Sequence, residues 1–281
     1  MTISSLRLLS VEEPLIQQLF SEILGISGIR NIDWSLTSPE VIERAMRVIS
    51  EALNESDPFR DEKRRQNGVL LDVYPVLREK IENSEDPLLA AVQLSILGNA
   101  VDFMMAQRPE DVGSFLLNRL SIPLSREKIN RLRTRLSRTR FMIYFADNCG
   151  EIVLDRLLIE TIRREFDMEI LVVVRSVPTL NDATLSDAGA IGFGPEVELI
   201  ENGIKGPLPG TILNRCSSHI RRIVNKAELI ISKGGGNFDT LGEENEQLDK
   251  IVFMLLSKCH PYTSRFHIPL HHPILHMTKW E

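Results

Sequence analysis

The chain is poor in cysteine, in aromatic side chains and in positive charge, and it has no long apolar run. Three cysteines among 281 residues, at positions 149, 216 and 259 with no C-x-x-C pair, make neither a disulfide framework nor a zinc knuckle, so a reducing compartment is expected. The 33 basic residues against 39 acidic ones leave a formal charge of -6. The molecule as a whole therefore repels phosphate backbones; no nucleic-acid partner is expected, and any anion site must be local. The longest apolar runs, such as 251–256, fall far short of the roughly 20 residues that span a bilayer. Glu12 and Glu13 interrupt the first apolar stretch, which also lacks the basic flank of a signal peptide. The expectation is a cytoplasmic protein with no membrane partner.

What is present suits a globular fold. With 43% hydrophobic and 26% charged residues, the chain can bury the core of one large or two modest domains. From the N-terminus to about residue 140, apolar residues recur at helical spacing, as in Val41, Ile42, Ala45, Met46 and Ile49 and again from Leu88 to Leu97. Ser38 before Pro39 and Glu40 reads as an N-cap with proline at N1, and Ser84 to Pro87 reads as the entry to a second helix. The seven Lys or Arg residues of 125–140 suggest a phosphate patch, but Ile129, Leu132 and Leu136 share one helical face. An amphipathic helix with a solvated basic side accounts for them.

After Arg140 the pattern changes to short apolar runs at 141–146, 170–174, 197–200, 229–232, 251–256 and 273–277. Runs without alternation are covered on both faces, and segments 151–165, 181–190 and 215–227 suit crossover helices. The expected fold is α/β: a helical domain, 1–140, packed against a Rossmann-like, mainly parallel, doubly wound sheet in 141–281. Residues 251–256 also fit a buried helical turn.

In such a sheet ligands bind beyond the carboxyl ends of the strands. Three loops share that edge: Asp147-Asn148-Cys149-Gly150-Glu151, Asn181-Asp182-Ala183-Thr184 and Lys233-Gly234-Gly235-Gly236-Asn237. Asp147, Asn148 and Asp182 offer two carboxylates and an amide oxygen, hard ligands for a divalent cation such as Mg²⁺ or Mn²⁺. Each residue alone reads as a helix cap, but their joint placement at two strand ends reads as a site. Amides of the triple glycine can form an anion nest beside the charge of Lys233. Neither the P-loop order nor G-x-G-x-x-G is present, since Asp239 stands at the last glycine position. Lysine, nest and acidic pair together point to a phosphoryl group held between a divalent metal and a cation.

These segments, with Gly98-Asn99-Ala100-Val101-Asp102 and with Asp155 and Leu158 after the first loop, resemble the DUF89 (ARMT1-like) family of metal-dependent phosphatases from about Asp57 to the C-terminus. The resemblance implies a helical region against a Rossmann-like sheet. It also implies hydrolysis of small phosphometabolites, often sugar phosphates, as metabolite damage control, with Mg, Mn, Co or Ni. It transfers metal binding to Asp147, Asn148 and Asp182, and catalysis to Asp147, Asp182 and Lys233. Phosphate or substrate contact falls to Lys233, Gly234, Gly235, Gly236 and Asn237, with Asn99 and Asp102 lining the cleft. Many prokaryotic relatives begin with a C-x-x-C segment that is missing here, Cys149 stands where a small aliphatic residue is common, and Gly235 is often polar.

Either Asp147 or Asp182 could attack phosphorus directly or position a metal-activated water. Asn148 and Cys149 rule out the D-x-D pair of haloacid dehalogenase-type phosphatases. Competing readings are a noncatalytic phosphometabolite sensor using the same nest, and an S-adenosylmethionine-dependent carboxyl methyltransferase, which the missing glycine-rich turn after the first strand disfavours. His260, His267, His271, His272 and His276 crowd the last segment; a second metal site is the sharper reading of them and a histidine-lined surface the plainer one.

Overall fold

The computed structural model describes residues 6–30, 33, 35–101, 111–242 and 249–277. Among the described residues the longer helices of the first half are α1 (Glu13–Leu24), α2 (Ser38–Leu53), α3 (Arg60–Glu82), α4 (Pro87–Gly98), α5 (Val112–Arg119) and α6 (Arg126–Leu136). Their caps explain where they start. The N-cap of α2 is Thr37 rather than Ser38, because Thr37 and Glu40 form a reciprocal capping box in which Glu40 accepts from the Thr37 N–H at 2.9 Å. Asp86 caps α4, accepting from the Leu89 N–H at 3.0 Å with Pro87 at the first helical position. In α6, Ile129, Leu132 and Leu136 are buried as expected, while Arg133 reaches out to Asp86 and Glu165.

The second half alternates strand and helix: β1 (Phe141–Phe145), α7 (Glu151–Glu165), β2 (Glu169–Val174), α8 (Leu185–Ile191), β3 (Val197–Glu201), α9 (Ser218–Lys226), β4 (Leu229–Lys233), α10 (Gly234–Leu241), β5 (Ile251–Leu256), α11 (His260–Phe266) and β6 (Pro273–Met277). Residues 251–256 are thus a strand. The sheet order is β3-β2-β1-β4-β5-β6, parallel except for β6, which runs antiparallel to β5. Strand order reverses between β1 and β4, which creates a crevice at their carboxyl ends.

Alternate residues of each strand enter two cores. Met142, Tyr144, Val172, Ile231 and Met254 pack with α3 to α7 on one face, and Ile143, Phe145, Val173, Ile230 and Phe253 pack with α9, α10 and α11 on the other. The helical half is therefore continuous with the sheet through one apolar layer, in which α4 packs against α7. A smaller cluster of Leu6, Ile16, Leu19, Ile23, Met46, Ile49 and Phe59 holds α1 and α2 together. Among the described residues no helix is long and apolar enough to cross a membrane.

Candidate functional site

The loop after β1 turns sharply at Gly150, whose φ of 79° is costly for any residue with a Cβ. It is stitched to the loop after β2 by backbone bonds: Cys149 N–H donates to Asn181 O, and Ala183 N–H to Asp147 O, each at 2.8 Å. This pairing brings Asp147, Asn148 and Asp182 together beyond the strand ends. Between the two aspartates lies the guanidinium of Arg175, the first residue after β2, whose Nε donates to Asp182 Oδ2 at 2.7 Å and Nη2 to Asp147 Oδ1 at 3.3 Å. Asn148 Nδ2 donates to Asp147 Oδ2 at 3.0 Å and to Glu151 Oε2 at 3.3 Å.

Asp147, Asn148 and Asp182 line a cleft of about 200 Å³ together with Asn99, Gly235, Gly236, Asp239, Lys258 and Tyr262, with Ser38, Pro39 and Ile42 of α2 on its wall. Burial raises the Asp147 carboxyl well above the usual carboxylate range, helped by the charges of Asp182 and Glu151 and opposed by Arg175 and Lys258. The carboxylates of these loops are paired two to a cation, Asp147 and Asp182 with Arg175, and Glu151 and Asp155 with Lys233. Asp147, Asp182 and the Asn148 amide offer hard oxygen donors of the kind a divalent cation takes, while no three His, Cys, Asp or Glu side chains among the described residues converge on one ion position.

The triple glycine forms the first turn of α10 rather than a free loop. A Cβ on Gly234 would lie 1.8 Å from Asp147 Oδ2, and one on Gly236 would lie 1.9 Å from the Pro209 carbonyl oxygen. The glycines let the helix N-terminus approach the carboxylate loop, where its orphan N–H groups favour an anion.

Two expected phosphate contacts are placed elsewhere. The Lys233 amine points away from the cleft into a fully enclosed pocket, bonded to Glu151 Oε1 at 2.6 Å, to Ser95 O at 2.9 Å and to Asp155. Although burial alone would lower its pKa, Asp155 and Glu151 outweigh that and raise it. Asn237 is also enclosed: it donates to Ala146 O at 3.1 Å and Lys233 O at 2.8 Å, and accepts from Arg175 at 2.9 Å and Thr211 at 2.8 Å. It ties the ends of β1 and β4 together. Asn99 does line the cleft and donates to Glu151. Asp102 lies outside the described residues. Arg175 and Lys258 had a signal that sequence reading passed over, a basic residue at or just beyond the carboxyl end of a buried apolar strand.

The C-terminal histidines gather no ion site. His276 stacks on Phe253 with ring centroids 6.3 Å apart, and among the described residues no group of three or more His, Cys, Asp or Glu side chains is arranged to hold a metal.

The chain is similar to known proteins in sequence and in fold. Residues 8–270 match the family model of the damage-control phosphatase ARMT1-like domain. A damage-control phosphatase of Archaeoglobus fulgidus is 32% identical over 259 residues, covering 91% of this chain and 87% of that protein. A damage-control phosphatase of Pyrococcus horikoshii is 30% identical over 217 residues, covering 77% of this chain and 73% of its own length. In fold, the chain is similar to the crystal structure of a DUF89 family protein from Pyrococcus horikoshii, with a TM-score of 0.85 and 24% identity over 99% of this chain and 95% of that one.

Proposed function

We propose, from the premise that this chain belongs to the damage-control phosphatase ARMT1-like family, that it hydrolyses phosphomonoesters of small metabolites such as sugar phosphates with the aid of a divalent metal. The observation that carries the reading is the convergence of Asp147, Asn148 and Asp182 on one cleft beside the N-terminus of α10.

Asp147, Asn148 and Asp182 would hold the ion, which when bound supplies Lewis-acid polarisation of phosphoryl oxygens. The chain's own residues do the rest. Arg175 fixes both aspartates and keeps their mutual repulsion from splaying the loops. Gly235 and Gly236 bring backbone amides to the cleft, and Lys258, at the end of β5, brings the cleft its positive charge. Lys233 acts at one remove by holding Glu151, which in turn orients Asn148 and Asn99. Phosphoryl transfer needs little more than such placement, because most of the catalysis is positioning and charge stabilisation. A cleft of about 200 Å³ suits a compact phosphorylated substrate better than a polymer.

A phosphate-release screen over p-nitrophenyl phosphate, sugar phosphates, nucleotides and phosphopantetheine compounds, each with Mg²⁺, Mn²⁺, Co²⁺ or Ni²⁺, tests the proposal. Metal-dependent release from at least one small phosphomonoester is expected. Ligand-induced thermal stabilisation with no release under any metal would instead identify a sensor.

A further inference from the structure

Helix α3 belongs to the helical half, yet the first turns of its buried face are polar. Lys63, Gln66 and Asn67 are buried there at i, i+3 and i+4, and the same stripe continues as Leu70, Tyr74, Leu77 and Ile81. A buried polar cluster is costly unless each member has a partner, and here the partners are the two loops of the site. Asn67 Oδ1 accepts the Gly150 N–H at 2.6 Å, at the positive-φ turn that aims Asp147 and Asn148. Gln66 Oε1 accepts from Asn181 Nδ2 at 3.2 Å, next to Asp182. Lys63 Nζ lies 2.7 Å from both Asp57 Oδ2 and Asp187 Oδ2. The same Asp187 oxygen accepts from Thr184 N at 2.9 Å and Thr184 Oγ1 at 2.6 Å, closing the other end of the Asp182 loop.

We infer that the first two turns of α3 are a positioning element of the active site, with Lys63, Gln66 and Asn67 setting the relative placement of the 147–151 and 181–184 loops. None of the three lines the cleft, so they act through the residues that do. The apolar continuation of the stripe packs into the core with α7 and the sheet. The inference rests on the phosphatase reading above.

The test uses the full chain with Mn²⁺ as probe, its binding followed by electron paramagnetic resonance, and p-nitrophenyl phosphate turnover alongside. Asn67→Leu keeps the volume and removes the acceptor of Gly150. It is expected to weaken Mn²⁺ binding and lower kcat by about 10- to 100-fold each, with KM little changed. Leu77→Ala, about three turns further along the same stripe, is expected to lower Tm while leaving Mn²⁺ affinity and kcat at wild-type values. Should Asn67→Leu fail to fold, Gln66→Met is compared with Gln66→Glu, which retains an acceptor for Asn181 and is expected to restore Mn²⁺ affinity. Wild-type affinity and kcat in Asn67→Leu, equal losses in Leu77→Ala, or no difference between the two Gln66 variants overturns the inference. A wild-type protein that neither binds Mn²⁺ nor releases phosphate ends the phosphatase reading itself, an outcome distinct from any of these.

Discussion

Lys233 shows how burial decides the role of a side chain. Its position at a strand end beside three glycines invites a phosphate contact, but its stem passes back under the sheet edge to an enclosed pocket, where it meets Glu151 and Asp155. The motif was legible from residue types; the direction of the amine was not, because a lysine side chain can leave the same backbone position toward either side of the layer. Asp155 carries the pH consequence. Burial is the largest influence on its carboxyl and, with the charge of Glu151, lifts its pKa from 3.8 to about 6 against the pull of Lys233. Between those two values the folded protein holds a proton that the unfolded chain has lost. This group therefore favours folding at acid pH, and its contribution fades as pH rises through about 6. Wild type is expected to lose stability relative to Asp155→Asn from about pH 4 to pH 6.5, measured as urea midpoints across that range. Parallel curves for the two proteins would contradict the assignment.

At the scale of elements, the strands were legible because continuous apolar runs have one economical use in a parallel sheet, and the helix following β1 because an uninterrupted amphipathic stretch leads out of a glycine turn. Residues 181–190 were less so: Asn181 to Thr184 are spent on the site loop, and the helix starts only at Leu185 with its own capping box. The role of α3 was hidden because three buried polar residues read as an exposed face until their partners are known. Gly68 marks a different feature of the same helix. It sits in the helix interior, and a Cβ there would meet nothing within 4 Å. Gly68→Ala is expected to stabilise the protein by about 0.5–1 kcal/mol, since alanine loses less backbone entropy and no neighbour is displaced. Equilibrium urea unfolding checks this; a destabilised variant would mean that the helix surface at 68 is not open.

Over the whole molecule, the cleft exists because one layer serves two purposes. The face of the sheet that packs α3 to α7 supplies the apolar seat, and the crevice between β1 and β4 supplies the loops. The α2 helix, which forms part of the cleft wall, is tied to the opposite side of the sheet by Glu43, whose carboxylate receives both Arg215 nitrogens at 2.7 and 2.8 Å. Overall architecture was readable in the change of period at Arg140, since periodicity reports which faces are buried. The cleft lining was not readable, because Lys258, Tyr262 and Pro39 reach it from segments far apart in the chain whose meeting is set by tertiary packing.

The most direct measurement is phosphate release by wild type and by Asp147→Ala, with divalent metal present and folding verified by circular dichroism. The metal assignment requires a folded variant whose turnover falls by at least about a hundredfold. A folded Asp147→Ala protein that releases phosphate near the wild-type rate would contradict it.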